Sequence, residues 1–164
     1  MKKWGLFLDR DGVINEHLPG YRQTWASFHF LPGFLDQVAW VAKKFDPIVI
    51  VTNQQGIGKG LMTMTDLEAI HSRMLNEIQQ HGGRIDKIYV CPHVESENCD
   101  CRKPKTGMGI MAKRDFPLID FHRSLMIGDS ENDMVFGRNL EMKTMLFCKL
   151  DWACIQERLS HVIL

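Results

Sequence analysis

A run of four β-branched residues at 48–51 constrains the fold of this chain more than any other feature. The run reads Ile-Val-Ile-Val with no polar position, and a strand of this kind is covered on both faces, as in a parallel sheet. Other short apolar runs stand at 4–8, 85–91, 124–127 and 143–148. They alternate with helical patterns at 34–44, from Thr65 to Gly82-Gly83, at 132–139 and from Trp152 onward. The alternation predicts an α/β fold with a doubly wound, mostly parallel sheet.

Length and composition narrow the class of protein. The 164 residues contain no linker-like tract, which predicts a single domain over 1–164. The 20 basic residues equal the 20 acidic ones and form no stripe, so we expect no nucleic-acid partner. No apolar run is long enough for a membrane span, and the run after Met1-Lys2-Lys3 ends too early for a signal peptide. Five cysteines without an export signal are typical of a reducing compartment, so we expect a cytoplasmic protein.

Three longer irregular stretches, 15–29, 53–64 and 92–107, follow the predicted strands or lie near them, and loops of this length are often functional.

Thr65 with Glu68 three residues later predicts a capping box at the start of the second helix. His71, on that helix, is interpreted as a surface or packing residue. Cys148 and Cys154 are interpreted as inert packing thiols.

Polar residues recur where the predicted strands end. They are Asp9 and Asp11, Thr52 and Asn53, Arg102 and Lys103, and Asp129. Paired carboxylates could attack phosphorus and move protons, a hydroxyl and cations could hold a phosphoryl group, and another carboxylate could bind a hard cation. Each feature alone is better explained as a turn, a helix cap or a solvated basic pair. Because open α/β sheets bind ligands at the carboxyl ends of their strands, the joint occurrence favours one shared site.

Four segments resemble the motifs of the haloacid dehalogenase superfamily. They are Asp9-Arg10-Asp11-Gly12-Val13-Ile14-Asn15, Val51-Thr52-Asn53-Gln54, Cys101-Arg102-Lys103-Pro104 and Ile127-Gly128-Asp129. More narrowly, over about residues 6–147 the chain is similar to the small phosphatases of that superfamily that act on heptose bisphosphate and histidinol phosphate. The resemblance implies a Rossmann-like sheet of the haloacid dehalogenase type without a separate cap domain.

The resemblance also implies a role for each residue. Asp9 would be the nucleophile that forms an aspartyl-phosphate, and Asp11 the general acid and then the base. Mg²⁺ would be bound by the Asp9 carboxylate, the Asp11 backbone carbonyl and Asp129. The residues expected to contact phosphate or substrate are Thr52, Asn53, Arg102, Lys103 and Lys59. A hard cation suits phosphoryl transfer because it offsets charge that would repel an anionic nucleophile.

A second constellation, Cys91-x-His93 and Cys99-x-Cys101, has the composition of a metal site. Three sulfurs and one imidazole form a closed tetrahedral set for structural Zn²⁺, with no position left for a substrate. The alternative is scattered cysteines in a reduced protein. The phosphatases that the chain resembles carry such a zinc loop, which here would anchor Arg102 and Lys103, the two residues that follow Cys101.

Two phosphorylated metabolites are candidate substrates. The segments similar to the heptose bisphosphate enzymes are Ile14-Asn15, Gly20-Tyr21, 54–60 and 105–108. The short stretch 94–98 is closer to the histidinol phosphate enzymes. Ser130 stands where both groups of enzymes usually carry a basic residue. Lys59 replaces an arginine that is common in the heptose enzymes, which keeps the positive charge but loses the two parallel hydrogen bonds that a guanidinium can donate.

We therefore expect hydrolysis of the 7-phosphate of D-glycero-D-manno-heptose 1,7-bisphosphate, with histidinol phosphate as the alternative substrate. A third hypothesis is a non-catalytic binding module built on a phosphatase scaffold. The expected partner is a small phosphorylated metabolite, and the expected assembly is a monomer or a weak homodimer.

Overall fold

The computed structural model describes residues 3–17, 20, 23–147 and 151–163. Five strands form one sheet: β1 Trp4–Leu8, β2 Phe45–Asn53, β3 Lys87–Cys91, β4 Ser124–Gly128 and β5 Lys143–Leu146. The order across the sheet is β3-β2-β1-β4-β5, and all neighbouring strands are parallel. The chain therefore moves outward from β1 through β2 and β3, then returns to the other side of β1 for β4 and β5. The predicted parallel sheet is confirmed.

Helices cover both faces of the sheet. They are α1 Phe34–Lys44, α2 Gln55–Gly58, α3 Met64–Gln80, α4 Gly107–Asp115, α5 Glu131–Asn139 and α6 Ile155–Ile163. Leu6 and Leu8 of β1 belong to the core shared with α1, α3 and α6, whereas Phe7 belongs to the core shared with α4 and α5. The 48–51 run alternates between the two cores in the same way. Both faces of β2 are therefore covered at these four positions, which explains why the 48–51 run has no polar residue.

The direction of winding changes between β1 and β4, and open α/β sheets bind ligands at such a switch point. Leu8 is in register with Ile127. Asp9, the next residue, donates its backbone N–H to the carbonyl of Ile127 at 2.9 Å. The pairing of β1 with β4 therefore brings the acidic residues that follow these two strands to the same end of the sheet.

The start of α3 differs from the sequence prediction. The capping box consists of Thr63 and Asp66, not Thr65 and Glu68. Thr63 Oγ1 accepts a hydrogen bond from the Asp66 backbone N–H at 3.1 Å, and the Asp66 carboxylate accepts one from the Thr63 N–H at 2.8 Å. The pattern of threonine followed three residues later by an acid occurs twice in succession, and the chain turns into the helix at the first occurrence.

Helix α4 was not predicted, because Gly107 and Gly109 lower the helix propensity of its first turn. A Cβ at Gly109 would lie 2.3 Å from Leu140 Cδ1, so glycine lets α4 approach the end of α5 closely.

The packing interpretation of Cys154 is wrong because its thiol is exposed. Cys148 and Tyr21 lie outside the described residues. Among the helices described, none is both long and apolar enough to cross a membrane.

Candidate active site

Asp9 lies at the carboxyl end of β1 with its carboxylate buried. Its Oδ1 accepts a hydrogen bond from Lys103 Nζ at 2.8 Å, and the same ammonium donates to Asp133 Oδ1 at 2.6 Å. Burial raises the pKa of Asp9 to about 7, although the Lys103 ammonium opposes this and the Asp133 carboxylate adds to it. Burial alone would lower the pKa of Lys103, but the two carboxylates outweigh it and raise that pKa. Lys103 is therefore a cation between two acids.

Carboxylate oxygens of Asp9, Asp129 and Asp133 lie within 4.8 Å of one another. Gly12 permits this arrangement, since its φ is +83° and a Cβ at this position would lie 2.0 Å from Asp129 Oδ2. Burial raises the pKa of Asp129, and the charge of Asp133 raises it further. Crowded carboxylate oxygens are the hard ligands that Mg²⁺ prefers. The donor set fits a divalent cation, and it includes Asp133, which the sequence analysis did not select.

The side chain of Asp11 is not part of this carboxylate cluster. Its Oδ1 accepts hydrogen bonds from Arg10 Nη2 at 2.8 Å and Asn15 Nδ2 at 2.9 Å, and its Oδ2 accepts one from Gln54 Nε2 at 2.8 Å. Burial alone would raise the pKa of Asp11, but the Arg10 charge and these hydrogen bonds outweigh it and lower the pKa. Asp11 is therefore ionised and able to accept a proton. The magnesium contact predicted for Asp11 involves its backbone carbonyl rather than this carboxylate.

Thr52 and Asn53 end β2. Thr52 Oγ1 accepts a hydrogen bond from Gln54 Nε2 at 2.8 Å, so its own O–H is available to donate. Asn53 pairs with the backbone of Lys103: its Nδ2 donates to the carbonyl at 3.2 Å, and its Oδ1 accepts from the N–H at 3.0 Å. Gln54 thus links Thr52 to Asp11, and Asn53 fixes the segment that carries Lys103.

A cleft of about 320 Å³ opens over these residues. Amide side chains line much of it, including Gln23, Gln55 and Asn132, and the described lining contains no apolar side chain. Arg102 also lines the cleft, whereas Lys59 is exposed at the end of α2 and is not among the lining residues. Such walls favour a hydroxylated and charged ligand.

Ser130 lies at the rim of the same cleft. Its Oγ donates to Asp133 Oδ2 at 2.7 Å, and the Asp133 carboxylate also accepts from the Ser130 N–H at 3.1 Å. Ser130 therefore caps α5 and orients Asp133.

The four predicted zinc ligands lie together at the end of β3 and in the loop after it. Sulfur–sulfur distances are 3.0 Å for Cys91–Cys101, 3.5 Å for Cys91–Cys99 and 3.6 Å for Cys99–Cys101. His93 Nδ1 lies 3.2 Å from the Cys101 sulfur and 3.6 Å from that of Cys91. Zn–S bonds of ~2.3 Å in a tetrahedron give sulfur–sulfur edges of ~3.8 Å. The separations of 3.5 and 3.6 Å approach this edge, and that of 3.0 Å is shorter. The cluster therefore fits a four-coordinate zinc ion.

The loop that carries the cysteine–histidine cluster leads directly into Arg102 and Lys103. Burial raises the pKa of Cys91, and the neighbouring Cys101 thiol raises it further, so a thiolate at Cys91 requires a nearby cation. Lys105 Nζ donates to the carbonyls of Asn98 at 3.1 Å and Cys99 at 2.8 Å. Arg102 donates to the His93 carbonyl at 3.4 Å. These contacts connect the cysteine–histidine cluster to the segment that presents Arg102 to the cleft.

Sequence reasoning assigned no role in the site to four residues that the structure brings to it, Arg10, Gln54, His71 and Asp133. Arg10 stands between the two predicted catalytic acids in the sequence, and this placement is a signal that could have been used. The structure shows that Arg10 is buried there. His71 is buried, and its Nε2 lies 3.0 Å from Arg10 Nη1. The two residues are 61 positions apart, so no local pattern indicates their contact.

Comparison with known proteins places the chain in a family. Residues 100–148 match the HAD-hydrolase-like family model. A D-glycero-α-D-manno-heptose-1,7-bisphosphate 7-phosphatase from Mycobacterium bovis is 40% identical over 139 residues, which cover 84% of this chain and 73% of that protein. A protein of the same name from Campylobacter jejuni is 40% identical over 146 residues, 89% of this chain and 83% of that one. The chain belongs to the haloacid dehalogenase-like family of phosphatases.

Solved structures agree with this assignment. The haloacid dehalogenase-like phosphatase described here superposes with a TM-score of 0.80 on the crystal structure of a D,D-heptose 1,7-bisphosphate phosphatase from B. bronchiseptica complexed with magnesium and phosphate. The two are 29% identical, and the match covers 96% of this chain and 99% of that one. The family, the fold class and the phosphatase activity predicted from the sequence are confirmed.

Proposed function

We propose that this phosphatase hydrolyses the 7-phosphate of D-glycero-D-manno-heptose 1,7-bisphosphate through an aspartyl-phosphate on Asp9. The observation that carries the mechanism is the position of Asp9, a buried carboxylate at the switch point of the sheet, paired with Lys103 and crowded by Asp129. The substrate rests on the relatives, which are named for this reaction at about 40% identity over most of the chain.

In the first half of the reaction an Asp9 oxygen attacks phosphorus, and the bond from phosphorus to the sugar oxygen breaks. Lys103 and the Thr52 hydroxyl offset the charge on the transferred phosphoryl oxygens. Asp11 gives its proton to the leaving sugar oxygen. The pKa of Asp11 is lowered in the absence of substrate. A bound phosphate dianion beside it raises that pKa and so favours the protonated form that the step needs.

In the second half a water molecule attacks the phosphorus of the aspartyl-phosphate. Asp11, now a carboxylate, takes a proton from that water, and the bond from phosphorus to the Asp9 oxygen breaks. Inorganic phosphate leaves, and both aspartates return to their starting states. The hydrogen bonds from Arg10 and Gln54 hold the Asp11 carboxylate where both proton transfers occur.

Two metals belong to the proposal. Asp9, Asp129 and the Asp11 carbonyl would hold Mg²⁺, with Asp133 beside them, and the ion would offset the negative charge of phosphate and carboxylates during transfer. The cysteine–histidine cluster would hold Zn²⁺ in a structural role, because its four protein ligands complete a tetrahedron.

The polar cleft supports a sugar substrate. Its amide and carboxylate walls suit several hydroxyl groups, and Arg102 at its edge offers a cation to a second phosphate. The relatives include proteins named for the α anomer and, in Pseudomonas putida at 38% identity, for the β anomer. We expect the enzyme to act in the cytoplasm as a monomer or a weak homodimer.

Substrate comparison and intermediate trapping test the proposal. Phosphate release should be fastest with one anomer of heptose 1,7-bisphosphate and at least about tenfold slower with histidinol phosphate. Rapid acid quench with ³²P-labelled substrate should trap label on the wild-type protein and none on Asp9→Asn. Asp36→Asn, at an exposed position of α1, serves as the matched control and should retain activity. Equal rates with histidinol phosphate would overturn the substrate, and turnover by Asp9→Asn would overturn the mechanism.

A further inference from the structure

Arg10 is a buried cation that the proposed reaction does not use directly, yet it contacts the acid–base residue. It has no solvent exposure, and its Nη2 donates to Asp11 Oδ1 and to the Gln23 side-chain oxygen. Its Nε has no hydrogen-bond partner among the described residues. The orientation of the guanidinium therefore depends on what its two Nη groups contact.

The other Nη group is held by His71, which comes from the middle of α3. Arg10 Nη1 lies 3.0 Å from His71 Nε2. A guanidinium only donates hydrogen bonds, so Nε2 must be the acceptor and the ring proton must lie on Nδ1. Burial lowers the pKa of His71 to about 3, and the Arg10 charge lowers it further, so the imidazole stays neutral at physiological pH.

Aromatic side chains close the remaining side of Arg10. The guanidinium carbon lies 5.9 Å from the ring centroid of Phe28, and Phe28 stacks on Trp25 with centroids 5.2 Å apart. Arg73 of α3 lies 6.0 Å from the Trp25 ring. The guanidinium is thus enclosed between α3 and the 23–30 segment, with little room to turn.

The fixed guanidinium makes the two oxygens of Asp11 unequal. Oδ1 accepts from Arg10, from Asn15 and, at 3.4 Å, from Gln23. In the part of the chain that the structure describes, Oδ2 accepts from Gln54 only. A carboxylate oxygen has two acceptor sites, so Oδ1 is fully occupied and Oδ2 keeps one. The proton transferred during the reaction therefore fits on Oδ2.

We propose that His71 is a positioning residue: by anchoring Arg10 it holds Asp11 with Oδ1 occupied and Oδ2 directed to the leaving oxygen of the substrate. The inference rests on the proposed role of Asp11 as acid and base. His71 acts through two hydrogen bonds and does not touch the substrate.

Two similar substitutions of His71 test this role. The amide oxygen of Gln reaches the position of Nε2 and can accept from Arg10, whereas the shorter Asn does not reach it. His71→Asn should lower kcat for a sugar phosphate by about 10- to 100-fold, because small misplacements of reacting groups have effects of this size. KM should stay within about threefold. An aryl phosphate, whose leaving group needs no proton, should lose less than about threefold, and His71→Gln should recover most of the sugar-phosphate activity.

Controls separate positioning from general damage. His81→Asn, at the exposed end of the same helix, should leave both substrates unaffected. Thermal melts show whether the His71 variants fold. If His71→Asn does not fold, His71→Gln compared with wild type carries the test, and a folded His71→Gln that loses both substrates equally would overturn the proposal. Equal losses on sugar and aryl phosphate in a folded His71→Asn would also overturn it.

Asp11→Asn, measured beside these variants, distinguishes two failures. If Asp11→Asn loses sugar-phosphate activity selectively and His71→Asn does not, only the positioning role is wrong. If Asp11→Asn itself shows no dependence on the leaving group, the proposed acid–base role of Asp11 is wrong.

Discussion

Replacing Lys103 by Met removes the cation that pairs with both Asp9 and Asp133. Lys103 is 3% exposed, Asp133 1% and Asp9 8%, and the two N–O distances are 2.6 and 2.8 Å. Both ion pairs of Lys103 are therefore buried. Removing one partner of a buried ion pair lowers the free energy of unfolding by about 3–5 kcal/mol, whereas an exposed pair contributes only about 0–1 kcal/mol. In a protein of this size, about 3–5 kcal/mol corresponds to a fall in Tm of about 6–20 °C.

The decrease in the free energy of unfolding caused by Lys103→Met should also depend on pH. The folded-state pKa of Asp9 is about 7, above its ordinary value, and the loss of the Lys103 ammonium would raise it further. An acid whose pKa is raised by folding destabilises the folded state as the pH rises toward that pKa, because the unfolded state then holds fewer protons than the folded one. A further rise of one unit adds about 1 kcal/mol to the destabilisation at pH 8 relative to pH 5.5, and the full ~1.4 kcal/mol per unit is reached only at higher pH.

Urea unfolding of wild type and Lys103→Met at pH 5.5 and pH 8 measures the decrease in the free energy of unfolding and its dependence on pH. The buffer should be free of magnesium, and it should also lack strong chelators so that the zinc proposed for the cysteine–histidine cluster is not removed. Lys43→Met, at the exposed end of α1, is the matched control and should change the free energy of unfolding by less than about 0.5 kcal/mol. A loss for Lys103→Met below about 1 kcal/mol, or a loss equal at both pH values, would refute this reasoning.

Three further predictions concern the metals. Gly12→Ala should raise the magnesium concentration needed for half-maximal activity by at least about tenfold, because the new Cβ would lie 2.0 Å from Asp129 Oδ2 at a φ of +83°; an unchanged magnesium titration would contradict it. Burial raises the pKa of Asp9 to about 7, and magnesium binding needs the ionised carboxylate. Magnesium affinity measured by calorimetry should therefore rise about tenfold per pH unit below pH 7 and level off above it. An affinity that does not change with pH would be evidence against ionisation of Asp9 in this range. Cys99→Ala should lose zinc by elemental analysis and most of the activity while keeping the far-ultraviolet circular dichroism of the sheet; full activity without zinc would disprove the anchoring role.

The sequence by itself determined the layers of the fold. The apolar run at 48–51 has no position that tolerates water, and it becomes a central strand covered on both faces. Helix α1 begins and ends at the predicted residues, Phe34 and Lys44, because its apolar spacing and the preceding Gly33 are local signals. Where a local signal occurred twice, as with Thr63 and Thr65, the prediction selected the wrong one.

The residues at the strand ends were also predictable, since the parallel sheet brings its carboxyl ends together. Asp9 and Asp129 directly follow β1 and β4, and Thr52 lies at the end of β2, as expected. Their roles stay predictions until the variants are measured. The four proposed zinc ligands were visible because they lie close together in the sequence, as the pairs Cys91-x-His93 and Cys99-x-Cys101.

Only the tertiary structure decided the contacts between distant segments. Asp133 joins the carboxylate cluster because Ser130 caps α5 and turns that carboxylate inward, and Lys103 meets it across the cleft. His71 reaches Arg10 only because α3 packs against the sheet beside β1. Helical and strand patterns record which face of an element is buried. They do not record which buried polar atoms will meet, since the packing between elements decides which donors and acceptors come together.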